Sequence, residues 1–387
     1  MWGEISLHAY YIAKQLNKES IQIDFYLYTP NYAYKYKHSR NLFSNFKKSE
    51  INIIEIKCTR FEAQLIKLYR ITEFLKFPLL IFFSNLLLPN RTSKVFNSNK
   101  YKFIITISHL SLYWLFKTEP NSLKKTLHYS LEVFKTTDPG IYRHTWLYAI
   151  IKMESKLLLL VKGLIIQDKL RAETLLKRNQ LKDLNIIYFP VSIPGNKIRN
   201  DSDYLCKMLG FNVDKKIILY FGADYKERKL EELITTFSEI KNQELVLVIH
   251  GAGELPHIKK PENVRFSNLL VDYDDIHEII SSATIGIALY DNSWPNTRYT
   301  AFSSEKIARY LQSGIPFIAL QNESYDNLKN EFNCCELIED TNELESAINI
   351  IMNDYDNYRM HCYDAYEKYY KIENTIKPLV KYLLSDN

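Results

Sequence analysis

Apolar residues along the chain recur at two alternating spacings. Short aliphatic or β-branched runs, IQIDFYLY (21–28), INIIEIKC (51–58), YKFIITIS (101–108), TLHYS (126–130), GLIIQ (163–167) and NIIYF (185–189), read as strands. Between them lie stretches with helical periodicity. WGEISLHAYYIAKQL (2–16) places Ile5, Ala9, Ile12, Ala13 and Leu16 on one face. A very apolar region spans 62–88, and helices follow over about 141–161 and from Lys169 to Arg178. The Pro, Gly and polar residues of PVSIPGNKIRNDSD (190–203) read as a linker, after which the alternation resumes. KIILYFG (216–222), ELVLVIHGAG (244–253), NVRFSN (263–268), TIGIALY (284–290), FIAL (317–320) and CCELIE (334–339) are the expected strands. Helices are expected from Lys229 to Ile240 and over 273–281, 342–353, 355–370 and 373–384.

Such alternation specifies parallel sheets covered on both faces. The fold class expected is α/β, two Rossmann-like doubly wound domains. The first covers 1–190, a linker 191–204, the second 205–365, and a terminal helix over 366–387 packs back on the first. Two or three domains also suit 387 residues at roughly 150 per domain. A domain of this type ordinarily opens with a strand, whereas this chain opens on helix-like sequence, so a missing first strand and a truncated or late start are expected.

Residues 298–320, RYTAFSSEKIARYLQSGIPFIAL, form the stretch around which the second half is organised. Ser303 and Ser304 stand where N-cap residues belong. Ile307, Tyr310 and Leu311 then recur at helical spacing, Gly314 stops the helix, and FIAL is short and apolar enough for a buried strand. Free amides at the helix start, two hydroxyls and Lys306 converge where an anion such as a phosphate would sit. An ordinarily capped helix with a solvated lysine is the plainer alternative for this stretch taken alone.

Charge and cysteine content narrow the class. The net charge of +5 conceals a contrast: residues 1–200 carry 31 basic and 14 acidic side chains, a balance of +17, and residues 201–387 carry 19 and 31, a balance of −12. Only the first half is therefore expected to face something anionic, such as a lipid leaflet or a pyrophosphate-linked acceptor. Five scattered cysteines without C-x-x-C or metal spacing read as reduced thiols of a cytoplasmic protein, and the start carries no signal-peptide pattern. The apolar run Phe77–Leu88 is too short to cross a bilayer, which takes about 20 residues. It reads either as an interfacial helix, giving peripheral attachment to the inner face of the cell membrane, or as a buried core helix.

Three places in the second domain put phosphate-binding residues at strand ends, where ligands of such folds bind. Gly222 is followed by Arg228 and Lys229 at a helix start, Gly251 and Gly253 end the next strand, and Ser303, Ser304 and Lys306 make the third. Each alone is a weak signal. Together they favour a nucleoside diphosphate, since charge-assisted bonds to phosphate oxygens contribute roughly 1.5–3 kcal/mol each.

The stretches ILYFGADYKERKLEELITTF, LVLVIHGAGE, NVRFSNLLVDYDDIHEIISSATIGIAL and SSEKIARYLQSGIPFIA resemble, in content and order, the donor-binding domain of GT-B glycosyltransferases of family 4. The likeness covers about 216–320, and extends less specifically through GEISLHAYYIAKQL, HYSLEV, IIQDKLRAETLL and YFPVSIPG. It implies two domains facing across a cleft and transfer of a sugar from a nucleoside diphosphate sugar to an acceptor hydroxyl, on a lipid-linked or surface-polysaccharide glycan. Retention of configuration, no metal and no cofactor are implied with it. Carried onto this sequence, the donor side comprises Gly222, Arg228, Lys229, Gly251, Gly253, Ser303, Ser304, Glu305, Lys306 and Tyr310. Ala223 stands where the family has an arginine. Its two glutamates are replaced by Ala301 and Arg309, which leaves Glu305 or Tyr310 to contact the ribose. SSEKIARYLQSGIP resembles a variant of the motif in some bacterial members, S-S-x-K followed by Y-L-x-x-G-x-P.

In the first domain His128 and Glu132 are the expected catalytic or sugar-contacting pair, with His109 a weaker third, and a structural histidine and a capping glutamate are the alternatives. Gly3, Glu4 and His8 are expected to begin an acceptor-side loop, and DNSWPNTRY (291–299) to read the donor sugar, with packing the alternative for Trp294. Three other classes compete. A GT-B subunit that binds sugar or nucleotide without catalysis accounts for the missing glutamates. A dinucleotide oxidoreductase is disfavoured by the incomplete glycine fingerprint, and a nucleic-acid partner by the lack of any accompanying motif.

Overall fold

The computed structural model describes residues 2–29, 51–57, 96–138, 146–182, 184–199, 201–222, 228–251, 261–268 and 276–385. The chain divides into two units, Met1–Phe189 with Ile376–Asn387, and Pro190–Thr375. The apolar region at 62–88 and Gly253 lie outside the described residues.

The first unit opens with the helix Trp2–Lys18, after which β1 (Asp24–Thr29) and β2 (Asn52–Lys57) pair in parallel. A second parallel sheet follows in the order β3-β4-β5-β6, from β3 (Ile104–Ile107), β4 (Thr126–Tyr129), β5 (Gly163–Ile166) and β6 (Ile186–Tyr188). Tyr101 links the two sheets: its hydroxyl donates to Asp24 Oδ2 at 2.6 Å and meets the Tyr26 hydroxyl at 2.7 Å. β4 and β5 are buried along their whole length. That explains their unbroken apolar character, because a parallel strand covered on both faces has no solvent side to mark. Helices Ser108–Thr118, Trp146–Leu158 and Lys169–Asn179 supply Leu112, Leu115, Ile150, Leu157 and Leu175 to the core around Leu164 and Ile166. The last of these begins at Asp168, whose carboxylate accepts from Arg171 N at 2.9 Å. This satisfies one of the amides a helix start leaves free. None of the described helices is long and apolar enough to cross a membrane.

The second unit is built on a six-stranded parallel sheet in the order β12-β11-β10-β7-β8-β9. Its strands are β7 (Lys216–Phe221), β8 (Leu245–His250), β9 (Val264–Ser267), β10 (Ile285–Ala288), β11 (Phe317–Leu320) and β12 (Cys335–Ile338). Side chains alternate across it with period two. Ile217, Leu219, Val246 and Val248 pack with Ile307, Leu311 and Tyr366 on one face. Ile218, Tyr220, Leu247 and Ile249 pack with Leu233, Phe237 and Ile348 on the other. Cys206, Cys334, Cys335 and Cys362 are buried and unpaired.

Two elements differ from the sequence reading. The segment after Pro190 is not a solvated tether: Val191 N donates to Phe302 O at 2.8 Å and Ile193 N to Tyr370 O at 2.9 Å, and Ser192 and Ile193 are buried. The helix expected over 373–384 is two helices, Ile372–Thr375 and Lys377–Ser385. Thr375 Oγ1 is held by Ser192 Oγ at 2.8 Å, so the first piece stays with the second unit while the next residue starts the return to the first.

Candidate functional site

The strand order of the second unit changes direction between β7 and β10. In open α/β sheets the crevice beyond the C-terminal ends of the strands at such a reversal is the usual ligand site. Gly222 ends β7 at φ 133°, its amide donating to His250 O at 2.9 Å, and Gly251 ends β8 with its amide on Ser267 O at 3.0 Å. A methyl group on Gly222 would lie 3.7 Å from Lys306 Nζ, so this ammonium rests against the backbone at the end of β7. Lys306 Nζ stands 4.2 Å above the ring of Tyr220 and 5.4 Å from that of Tyr290. The Arg228 guanidinium lies 3.9 Å above the same Tyr290 ring. Tyr290 is fixed in turn by a 2.7 Å hydrogen bond between its hydroxyl and Ser304 Oγ.

One buried tyrosine thus gathers two cations at the sheet's reversal point. Ring faces attract cations by about 0.5–2 kcal/mol, which offsets only part of what desolvation costs an ammonium. Accordingly, burial holds the Lys306 pKa well below the usual lysine value, and the nearby Arg228 charge presses the same way. Among the described residues no carboxylate forms an ion pair with Lys306. An anion placed between the two side chains would relieve both effects. No cluster of three or more metal-ligating side chains occurs among the described residues.

Several expected donor-side residues have other tasks. Tyr310 is fully buried, and its hydroxyl donates to Leu219 O at 2.8 Å. Its ring packs where a side chain on Gly286 would stand, 2.5 Å away. The ribose contact expected of Tyr310 is therefore corrected: it is a core residue with no surface to offer. Glu305 accepts from Arg309 Nε at 2.8 Å, one helical turn on. Neither serine hydroxyl caps the Glu305–Gln312 helix. Ser304 occupies the N-cap with its side chain on Tyr290, and Ser303 Oγ donates to Tyr299 O at 3.0 Å. Lys229 is the N-cap of the Leu230–Glu239 helix, in a left-handed conformation at φ 49°. Trp294 occupies the N-cap position of the short helix Pro295–Arg298, and Asp291 accepts from the hydroxyls of Ser293 and Thr297 at 2.7 and 3.0 Å.

In the first unit His128 is fully buried on β4, its Nδ1 at 3.0 Å from Thr106 Oγ1 on β3 and its Nε2 without a hydrogen-bond partner. Burial, with a smaller push from His109, holds it neutral, its pKa lowered to about 3. His109 is lowered to about 4 by burial alone and packs edge-on against Phe134. Glu132 is exposed and lies 3.8 Å from the buried Arg171. Gly3, Glu4 and His8 do not begin a loop: all three are in the Trp2–Lys18 helix. His8 is buried, its Nε2 3.2 Å from the Tyr129 hydroxyl and its ring stacked on Phe189. Periodicity placed Ala9, Ile12 and Leu16 inward, and His8 follows them into the core. Tyr220 and Tyr290, which organise the cations, were missed. In a strand an aromatic residue reads as core, and only its place at the end facing the reversal could have singled it out.

No family model matches the sequence, and no curated protein does. Solved structures match over nearly the whole chain. Sucrose-phosphate synthase from Thermosynechococcus elongatus is 14% identical, with a TM-score of 0.63, over 98% of this chain and 94% of that one. HepE from Anabaena, solved in complex with UDP and glucose, is 12% identical with a TM-score of 0.64, over 98% and 96%. WaaG, a glycosyltransferase involved in lipopolysaccharide biosynthesis, is 11% identical with a TM-score of 0.58, over 98% and 96%. At such identities the likeness is one of fold, and that fold is GT-B.

Proposed function

We propose that the chain transfers a sugar from a nucleoside diphosphate sugar to an acceptor hydroxyl. The observation that carries this reading is the pair of cations, Lys306 and Arg228, sharing Tyr290 where the strand order reverses. Breaking the bond between sugar and diphosphate leaves negative charge on the departing oxygens. Preorganised cations in a dry site stabilise that charge at little reorganisation cost. Gly222 and Gly251, both at positive φ, let a phosphate approach the backbone closely. The HepE structure containing UDP makes uridine nucleotides the first donors to try. Retention of configuration, independence of metal, a lipid-linked or polysaccharide acceptor and attachment to the inner face of a membrane belong to the same proposal.

A non-catalytic nucleotide-binding subunit is the second reading. Ala301 is fully buried and Arg309 pairs with Glu305, so neither supplies the carboxylate found in the family it resembles. Thermal unfolding with UDP and UDP-glucose tests the shared part. The midpoint should rise with ligand concentration, and Lys306→Ala should abolish the rise without lowering the midpoint of the free protein. No shift with any uridine or guanosine diphosphate sugar would reject both readings. A shift without release of UDP in the presence of acceptors would leave the binding subunit.

A further inference from the structure

Lys306 is half-buried, and its Nζ makes no hydrogen bond and no ion pair among the described residues. Its surroundings are ring faces and a second cation. The Tyr220 ring, on β7, lies 4.2 Å from the ammonium, and the Tyr290 ring, just beyond β10, lies 5.4 Å from it. The Arg228 guanidinium, ahead of the Leu230–Glu239 helix, covers that same Tyr290 ring. On the lysine's own helix the charges cancel, since Glu305 pairs with Arg309 Nη2 at 2.6 Å, and Tyr310 turns into the core to donate to Leu219 O. At the end of β8, His250 has its Nδ1 3.0 Å from Ser267 Oγ, and burial lowers its pKa below the ordinary 6.5, so it is neutral in any weakly alkaline solution.

A charged ammonium carries three donors and no acceptor of its own, and these surroundings give it nothing to donate to. Ring faces offset only part of that loss. A guanidinium keeps its charge at any pH a protein tolerates, so relief of the repulsion between the two cations falls on the lysine. Burial first and Arg228 second lower the Lys306 pKa in the same sense. A diphosphate reverses both conditions, because its oxygens supply acceptors and opposite charge together. A ligand that favours the charged form of a group draws the proton in with it. We propose that the nucleoside diphosphate sugar is bound together with a proton, which Lys306 Nζ takes up from water and returns when the nucleotide leaves. The proposal rests on the reading of this site as the seat of a diphosphate, and adds that pH sets its affinity through Lys306. Arg228 is then the permanent charge that attracts the ligand, and Lys306 the charge created on its arrival.

Titration calorimetry of the full chain with UDP-glucose at about pH 8 tests it. This probe is chosen over UDP because a diphosphate esterified at both ends lacks the ionisation near pH ~6 that a terminal phosphate has. The heat of binding should differ between Tris and HEPES, whose ionisation enthalpies differ, by the amount that uptake of about one proton requires. The dissociation constant should rise several-fold, at most about tenfold, between about pH 7.5 and 8.5. Lys306→Arg keeps its charge and should bind with no uptake and a flat profile, whereas His250→Asn should keep the uptake. Should Lys306→Arg fail to bind, Arg228→Gln reports instead: an amine freed of its neighbour holds its proton in the free protein, so uptake falls. Binding by the wild type with no uptake and no change of affinity with pH would overturn the proposal and leave the diphosphate reading standing. Uptake that persists in Lys306→Arg, or is undiminished in Arg228→Gln, would overturn it by placing the titration on another group. No binding of UDP-glucose at any pH would reject the diphosphate reading itself, and the proposal with it.

Discussion

Lys306 and Tyr310 sit one turn apart on the same helix, yet the fold uses them in opposite ways. Lys306 rests on ring faces with its charge poorly compensated, whereas Tyr310 has its ring enclosed and its hydroxyl satisfied by Leu219 O. Tyr310→Phe should therefore cost about 1 kcal/mol of stability, the ordinary worth of a buried hydrogen bond, and leave the response to UDP unchanged. Urea unfolding and a UDP titration on the same preparation check both halves; a lost UDP response would return Tyr310 to the site. The helical spacing of Ile307, Tyr310 and Leu311 already placed this tyrosine on the core stripe. Its assignment to the ribose came by elimination, from Arg309 standing where the family has a glutamate, and the spacing was the better guide. The serine hydroxyls were misread for another reason. Position predicts an N-cap, but only the fold brings Tyr290 close enough to Ser304 to take its hydroxyl instead.

At the scale of one element, the Trp146–Leu158 helix carries a carboxyl group on its buried face. Burial raises the Glu154 pKa to about 8, from an ordinary 4.5, so the native state holds it protonated where the unfolded chain has lost the proton. Stability tied to this group is complete below about pH 4.5 and is lost as the pH rises through about 8. His128 and His109 act with the opposite sign. Their lowered pKa values give stability that is present above about 6.5 and lost as the pH falls through about 4 and then about 3. Glu154→Gln should leave the unfolding free energy near that of the wild type at about pH 5, and raise it on the order of a few kcal/mol at about pH 9. Equal pH profiles for the two proteins would show that the carboxyl is hydrated after all. Strands were legible wherever burial on both faces forced an unbroken apolar run, as in GLIIQ and FIAL. The break before Lys377 was legible in Pro378, which cannot continue a helix from the preceding turn, and the expected single helix over 373–384 ran past it.

For the whole molecule, the repeated alternation of strand and helix announced two sheets, and the charge contrast between halves follows the same division. A terminal helix over 366–387 is expected from the sequence to pack back on the first domain, and in the structure Ile376–Asn387 belongs to the first unit. Leu379, Val380 and Leu383 are buried, the Lys377–Ser385 helix packs on β6, and Tyr382 covers Phe103. Removing residues 376–387 should therefore destabilise the first unit while the second, expressed as Pro190–Thr375, unfolds cooperatively by itself. Calorimetry of the truncated and full chains would show one transition lowered and one unmoved; two unmoved transitions would contradict the assignment. The two ends of the second unit are bonded side by side, Ile193 N to Tyr370 O and Ile372 N to Ile193 O. It is thus a self-closing insert within the first. On a ribosome adding roughly 5–20 residues per second, the first unit waits on the order of ten to forty seconds for its last helix, while the insert between its parts is still being made. Until then β6 lacks its cover, and a chaperone that guards nascent chains would find its purchase there.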